Sequence, residues 1–287
     1  MKKKLFALLL AFTLLALTAC NGGGGGNPPQ KKDPVVTPVS EAFDVTDMGY
    51  SIYYSDDSDM GLPYRYYVPA DYNEDTAYPV FLFLHGAGER GTDNEAQLRN
   101  VMQILFNDLD SPIYQSIVIV PQCPGYHGDP DDYKWVDTDW ELGDYRVGDV
   151  PESEPMKLVV GLLEEVKADY STNEDRYYVM GLSMGGYGTW DIIIRNTEMF
   201  AGAVPICGAG DSSAASRLVN LPIYAFHGDK DSVVPVEGTR AMVAAIKAAG
   251  GTLIQYDEVP NCDHNCWNYA AEKEGLIDWL FAQRRAD

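Results

Sequence analysis

The serine at position 183 has glycines two residues before and after it, in Gly181-Leu182-Ser183-Met184-Gly185. The stretch before it, 176–180, reads as a buried strand, and the stretch after it, 185–192, reads as the start of a helix. A strand that turns into a helix through such a sequence pushes its serine hydroxyl into solvent on a strained backbone, the geometry of a nucleophile elbow. A hydroxyl is a weak nucleophile at neutral pH, so Ser183 requires a general base within hydrogen-bond reach. The chain offers four histidines. His85 ends an apolar strand (81–84) and opens a His-Gly-x-Gly loop, where an imidazole braces the loop. His227 ends a second strand, and His127 lies in an acidic, Gly/Pro-rich loop that reads as solvated. His264 follows a late strand (252–259) in the loop Pro260-Asn261-Cys262-Asp263-His264, ahead of the last helix, and is the candidate base.

The carboxylate partner of such a pair lies between serine and histidine in chain order. Asp229 and Asp231 both follow the strand 221–226. The pattern Asp-x-x-Val-Pro favours Asp231, with Asp229 as its rival; Asp263 is weaker, because neighbours on a loop tend to point apart. The carboxylate would orient the imidazole and stabilise the imidazolium formed during attack. Two backbone donors are expected for a developing oxyanion, the N–H of Met184 next to the nucleophile and the N–H of Ala87 in the glycine-rich loop after His85. Glu89 and Arg90 in that loop read as an ion pair that holds its shape.

Together these segments resemble the single-domain α/β-hydrolase esterases. The resemblance rests on Pro79 to Gly91 (PVFLFLHGAGERG), Pro121-Gln122-Cys123-Pro124, Asp175 to Trp190, His227 to Pro235 and His264 to Trp267. The branch it points to groups bacterial feruloyl and acetyl esterases of plant polysaccharides, polyhydroxybutyrate-depolymerase-like enzymes and proteins labelled predicted peptidases. It implies an α/β fold with a mostly parallel central sheet covered by helices on both faces. Asp263 stands where this family commonly has glycine, and a second carboxylate there would raise the imidazole pKa.

Hydrophobic patterning agrees with that architecture. Apolar strands are expected at 80–84, 116–120, 177–180, 202–206, 221–226 and 252–259, alternating with helices at 95–106, 154–169, 184–196, 236–249 and 268–283. Two further strands are expected at 42–54 and 64–68. No internal repeat is visible.

The N-terminus carries a different signal. Three lysines precede the short apolar run 5–17 and the sequence Leu17-Thr18-Ala19-Cys20, which resembles the bacterial lipobox. Residues 1–19 are read as a lipoprotein signal peptide, 20–40 as a lipidated Cys20 with a Gly- then Pro-rich tether, and 41–287 as the catalytic domain. The expected location is the bacterial cell envelope, lipid-anchored and facing outward, at the cell surface or in the periplasm. A net charge of −22 argues against nucleic acid as a partner and leaves membrane attachment to the lipid. The acidic segment 129–144 lacks the spacing of a calcium loop and reads either as a lid, with Trp135 and Trp140 as aromatic substrate platforms, or as a solvated loop with a tucked tryptophan. Cys123, Cys207, Cys262 and Cys266 allow three pairings; a Cys262–Cys266 bridge would pin the histidine loop, and free buried thiols are the alternative. No metal and no cofactor is expected.

The sequence thus points to an exported serine ester hydrolase that acts through an acyl-enzyme. A serine peptidase of the same fold and a non-catalytic carbohydrate-binding surface protein are the alternatives.

Overall fold

The computed structural model describes residues 40–125, 133–142 and 145–285. Of the two units into which the chain divides, Met1–Gln30 and Lys31–Asp287, every described residue belongs to the second. The leader, Cys20, His127 and all of the 20–40 tether but its last residue lie outside the described residues.

Eight strands are formed: β1 (Gly49–Tyr54), β2 (Gly61–Tyr67), β3 (Tyr78–Leu84), β4 (Ile117–Pro121), β5 (Thr172–Leu182), β6 (Gly202–Ile206), β7 (Ile223–Gly228) and β8 (Ile254–Val259). They make one sheet in the order β1-β2-β4-β3-β5-β6-β7-β8. The β1–β2 and β2–β4 pairings are antiparallel, and every pairing from β4 to β8 is parallel. The helices are α1 (Met102–Leu105), α2 (Glu154–Asp169), α3 (Met184–Arg195), α4 (Val236–Ala248), α5 (Trp267–Ala271) and α6 (Leu276–Phe281).

Strand β3 shows why the sheet is covered on both faces. All seven of its residues are buried, yet side chains alternate across a strand. Val80, Leu82 and Leu84 join the core under α2, α3 and α4, where Leu158, Ile192 and Met242 also pack. Phe81 and Phe83 join the opposite core, with Met102 and Leu105 of α1 and Leu280 and Phe281 of α6. A run without polar interruptions is what a strand with two dry faces requires.

Three of the elements that differ from the sequence expectation do so through local backbone chemistry. The helix expected at 95–106 is a 3₁₀ turn (Ala96–Leu98) followed by the single turn α1, because Asn100 lies between them at φ 65°. The helix expected at 268–283 is split into α5 and α6 at Gly275, with φ 75°. Left-handed residues end a helix, and asparagine and glycine bear that conformation best. The strand expected at 42–54 begins only at Gly49, since Val45–Asp47 form a 3₁₀ turn capped by the Asp44 carboxylate, which accepts the Thr46 N–H at 2.9 Å.

Parallel topology puts the carboxyl ends of β3, β5, β7 and β8 on one edge of the sheet. The segments holding His85, Ser183, Asp231 and His264 all leave from those ends, where sites in such sheets assemble.

Candidate active site

Ser183 lies between β5 and α3 with φ 55° and ψ −118°. A non-glycine residue in that region is strained and persists only where its surroundings fix it. Its N–H donates to Ile206 O at 2.8 Å, and its carbonyl accepts from Tyr187 N–H at 3.0 Å. Gly185 lets the first turn of α3 press on the end of β3: a Cβ there would collide with the Leu84 carbonyl. The elbow is therefore fixed by backbone contacts on both sides, and Ser183 remains partly exposed.

Ser183 Oγ lies 2.8 Å from His264 Nε2, and His264 Nδ1 lies 2.8 Å from Asp231 Oδ2. With the ring proton on Nδ1, the serine hydroxyl donates to Nε2 and the imidazole donates to the carboxylate. The Asp231 side chain has no exposed surface. Its Oδ1 accepts the N–H groups of Val233 and Val234, both at 2.9 Å, closing a tight turn after β7. On the other side, Oδ2 also stands 3.2 Å from His227 Nε2. Burial alone would push the Asp231 carboxyl up, but hydrogen bonds from His227, His264, Val234 and Val233 outweigh it and hold the group well below the ordinary carboxylate range. Asp231 is thus a fixed anion behind the imidazole.

The rival carboxylates do other work. Asp229 Oδ1 accepts the N–H of Cys262 at 3.3 Å. Asp263 Oδ1 accepts the N–H and hydroxyl of Ser232, at 2.8 and 2.9 Å, and the N–H of His264 at 2.8 Å. Asp263 therefore ties the histidine loop to the acid loop through its hydrogen bonds.

The loop after β3 stands against the nucleophile. A Cβ on Gly86 would lie 2.7 Å from Leu182 Cδ1 and 3.6 Å from Ser183 Cβ, so the Gly86–Ala87 step passes beside the serine. Ala87 opens a 3₁₀ turn (Ala87–Glu89) and Met184 opens α3. First-turn N–H groups have no acceptor within their own helix and are free to face an oxyanion. His85 supports this loop: Nδ1 donates to Gly86 O at 2.6 Å, and Nε2 accepts the Cys123 N–H at 2.9 Å. Burial pushes its pKa down to about 4, only partly offset by the Gly86 carbonyl, so the ring is neutral. Glu89 Oε1 accepts from Asn100 Nδ2 at 2.8 Å, while Arg90 Nε donates to Ala87 O at 2.9 Å.

Trp135 is a tucked tryptophan, the second of the two sequence alternatives, and not the substrate platform of the first. It has no exposed surface, and its indole N–H donates to His85 O at 3.0 Å. Gly188 of α3 packs against its Cβ. A ring enclosed in this way braces the loop after β3 and cannot stack on a substrate. Trp140 is half-buried, with the Arg90 and Lys134 cations 5.7 and 4.8 Å from its ring centres. The described part of 133–150 is stitched onto the site: Tyr133 O accepts from Arg90 at 3.3 Å, Trp140 O accepts from Tyr187 Oη at 3.1 Å, and Val136 and Tyr145 pack with Tyr187 and Val234. Tyr145 Oη also donates to the buried Asp191 at 3.1 Å.

Two residues that bear on the site went unassigned in the sequence. His227 backs Asp231 and is held by Thr239 Oγ1 at 2.8 Å and Val234 O at 3.0 Å; the signal was a histidine four residues before the acid at a strand end. Cys207, directly after β6, approaches the histidine loop, and its Sγ lies within 4.8 Å of the Asp231 and His264 ligand atoms. A soft cation held by those three groups would take the atoms that link Ser183, His264 and Asp231, so the cluster serves one purpose or the other.

Comparison with known proteins agrees with the fold. The model of the Dienelactone hydrolase family matches residues 146–272, the stretch that holds Ser183, Asp231 and His264. The crystal structure of a thermostable esterase superposes with a TM-score of 0.74 at 33% identity, covering 84% of this chain and 64% of that one. The chain has the α/β-hydrolase fold. Esterase LipQ of Mycobacterium tuberculosis is 42% identical to this chain over 71 residues, 25% of this chain and 15% of LipQ. A ferulic acid esterase from Anaeromyces mucronatus, solved with ferulic acid, shares the fold of this chain with a TM-score of 0.59 at 15% identity, over 89% of this chain and 98% of its own. The chain thus spans 15% of LipQ and just under two thirds of the thermostable esterase.

Proposed function

We propose that this protein is a serine carboxylic-ester hydrolase that works through an acyl-enzyme. The observation that carries the reading is the hydrogen-bonded line from Ser183 Oγ to His264 to Asp231, with the serine held on a strained elbow. In this reading Ser183 Oγ attacks the ester carbonyl as His264 Nε2 takes its proton. The N–H groups of Met184 and Ala87 receive the oxyanion. The imidazolium, stabilised by Asp231, returns the proton to the departing alcohol. Water then attacks the acyl-serine with His264 again as base, releasing the acid.

Feruloyl or acetyl groups on plant polysaccharides are the substrates we propose, with Trp140 at the substrate side of the site. Support comes from the resemblance in the sequence and from the shared fold with a ferulic acid esterase. Export and lipidation at Cys20 belong to the same proposal and are supported by the sequence Leu17-Thr18-Ala19-Cys20 after a short apolar run.

The test is a panel of methyl ferulate, acetylated xylan, a short p-nitrophenyl ester and a peptide amide. The expected kcat/KM for the best ester exceeds that for a matched amide by at least about 10³, a difference of roughly 4 kcal/mol in the transition state. Equal efficiency on the amide would move the function to a peptidase. Absence of turnover on every substrate, with the protein folded, would favour a binding role.

A further inference from the structure

Cys207 sits where the three reactive segments meet. It follows β6 with a left-handed φ of 50°, an uncommon conformation for cysteine. The carbonyl just before it, Ile206 O, accepts the Ser183 N–H at 2.8 Å. Its own N–H donates to Phe226 O at 2.9 Å, on the strand that leads to Asp231. Its Sγ lies 3.1 Å from His264 O and 2.6 Å from Cys266 Sγ. Cys266 is the N-cap residue of α5, two residues after the histidine. Neither cysteine has any exposed surface.

We propose that Cys207 and Cys266 form a disulfide that locks the His264 loop to the strand beside Ser183. The bond forms by exchange with a small-molecule or protein disulfide. One cysteine thiolate attacks R–S–S–R and expels R–S⁻. The second attacks the mixed disulfide and expels the other R–S⁻. Two cysteine protons are released, the pair is oxidised, and the exchange partner is reduced to two thiols. Burial pushes the Cys207 thiol well above its ordinary range, with the neighbouring Cys266 adding to the rise, so the folded thiol is a poor attacker. Exchange therefore takes place while the histidine loop is open, as the chain folds or during local unfolding. The bond would span 59 residues in sequence and enclose both Asp231 and His264. Confining so long a loop restricts the unfolded chain, and the bond also sets the height of the imidazole over the serine. The pairing is independent of which ester the enzyme takes.

Cys262 is the competitor, because it shares the loop and is only half-buried. The full chain should be refolded with glutathione disulfide, alkylated in denaturant, and digested with trypsin plus an Asp-directed protease. A cut before Asp263 separates Cys262 from Cys266. The expected product is a Cys207–Cys266 cross-linked peptide, with Cys123 and Cys262 alkylated. Dithiothreitol should lower Tm by roughly 5–10 °C in the parent and in Cys262→Ser, and should not shift Cys207→Ala or Cys266→Ser. Separate alkylation of Cys207 and Cys266 in the oxidised parent, or a Cys262–Cys266 peptide, would overturn the pairing even if the variants fail to fold.

Discussion

Asp231 meets His264 through a single oxygen, Oδ2 to Nδ1 at 2.8 Å, while its other oxygen is filled by the N–H groups of Val233 and Val234. The carboxylate cannot rotate away without breaking the turn that follows β7. Its hold on the imidazole is therefore built into the backbone, and the two neighbouring aspartates cannot replace it. Asp231→Asn should lower kcat on the order of 10⁴-fold, because an amide can stabilise neither the correct tautomer nor the imidazolium. Asp229→Asn, which alters a bond to the Cys262 N–H, should cost less than about tenfold. Steady-state kinetics of the two variants decides the matter; the reverse ranking would mean that Asp229 is the acid.

The same carboxylate makes stability depend on acid. Its folded-state pKa is held well below the ordinary 3.8 by hydrogen bonds that outweigh burial, so the unfolded chain takes up the proton first as pH falls. The stabilisation is complete above about 3.8 and is lost as pH drops through the folded-state value. Urea midpoints of the parent and Asp231→Asn should differ most near neutral pH and converge in acid. A gap that stays constant down to strong acid would contradict the depressed carboxylate.

Trp135 and Trp140 should separate cleanly. Trp135→Phe removes the indole N–H that holds His85 O and leaves a gap against α3, so it should lower Tm and reduce turnover of feruloyl and acetyl esters alike. Trp140→Ala should raise KM for a feruloyl ester by about tenfold, near 1.4 kcal/mol, with less effect on an acetyl ester. Equal losses on both esters would assign Trp140 to packing.

For the anchor, labelled palmitate should enter the parent protein in a bacterial host and should not enter Cys20→Ser, which should then appear unprocessed or unattached to membranes. No incorporation into the parent would remove the lipoprotein reading.

Much of the fold was legible because a buried parallel strand announces itself as an unbroken apolar run, as 80–84 and 202–206 do. The elbow was legible because close backbone contact at Gly185 admits no side chain. Helix ends were not, since Asn100 and Gly275 break their helices by adopting a left-handed backbone that patterning does not encode. The sequence left Trp135 open between platform and tucked ring because an aromatic in an acidic loop looks the same whether it points outward or inward. The neighbours that decided it, His85 and Gly188, are 50 and 53 residues away in the chain. The contact of Cys207 with Cys266 depends on the β6–β5 and β6–β7 pairings and was hidden for the same reason.

The central claim is that Ser183 becomes covalently acylated with His264 as its base. A fluorophosphonate ester probe, followed by peptide mapping, tests it in one step. The account predicts a single adduct on Ser183 in the parent, none in Ser183→Ala, and labelling slowed by at least about 10³-fold in His264→Ala. An adduct on another residue, or ester turnover retained in Ser183→Ala, would contradict it.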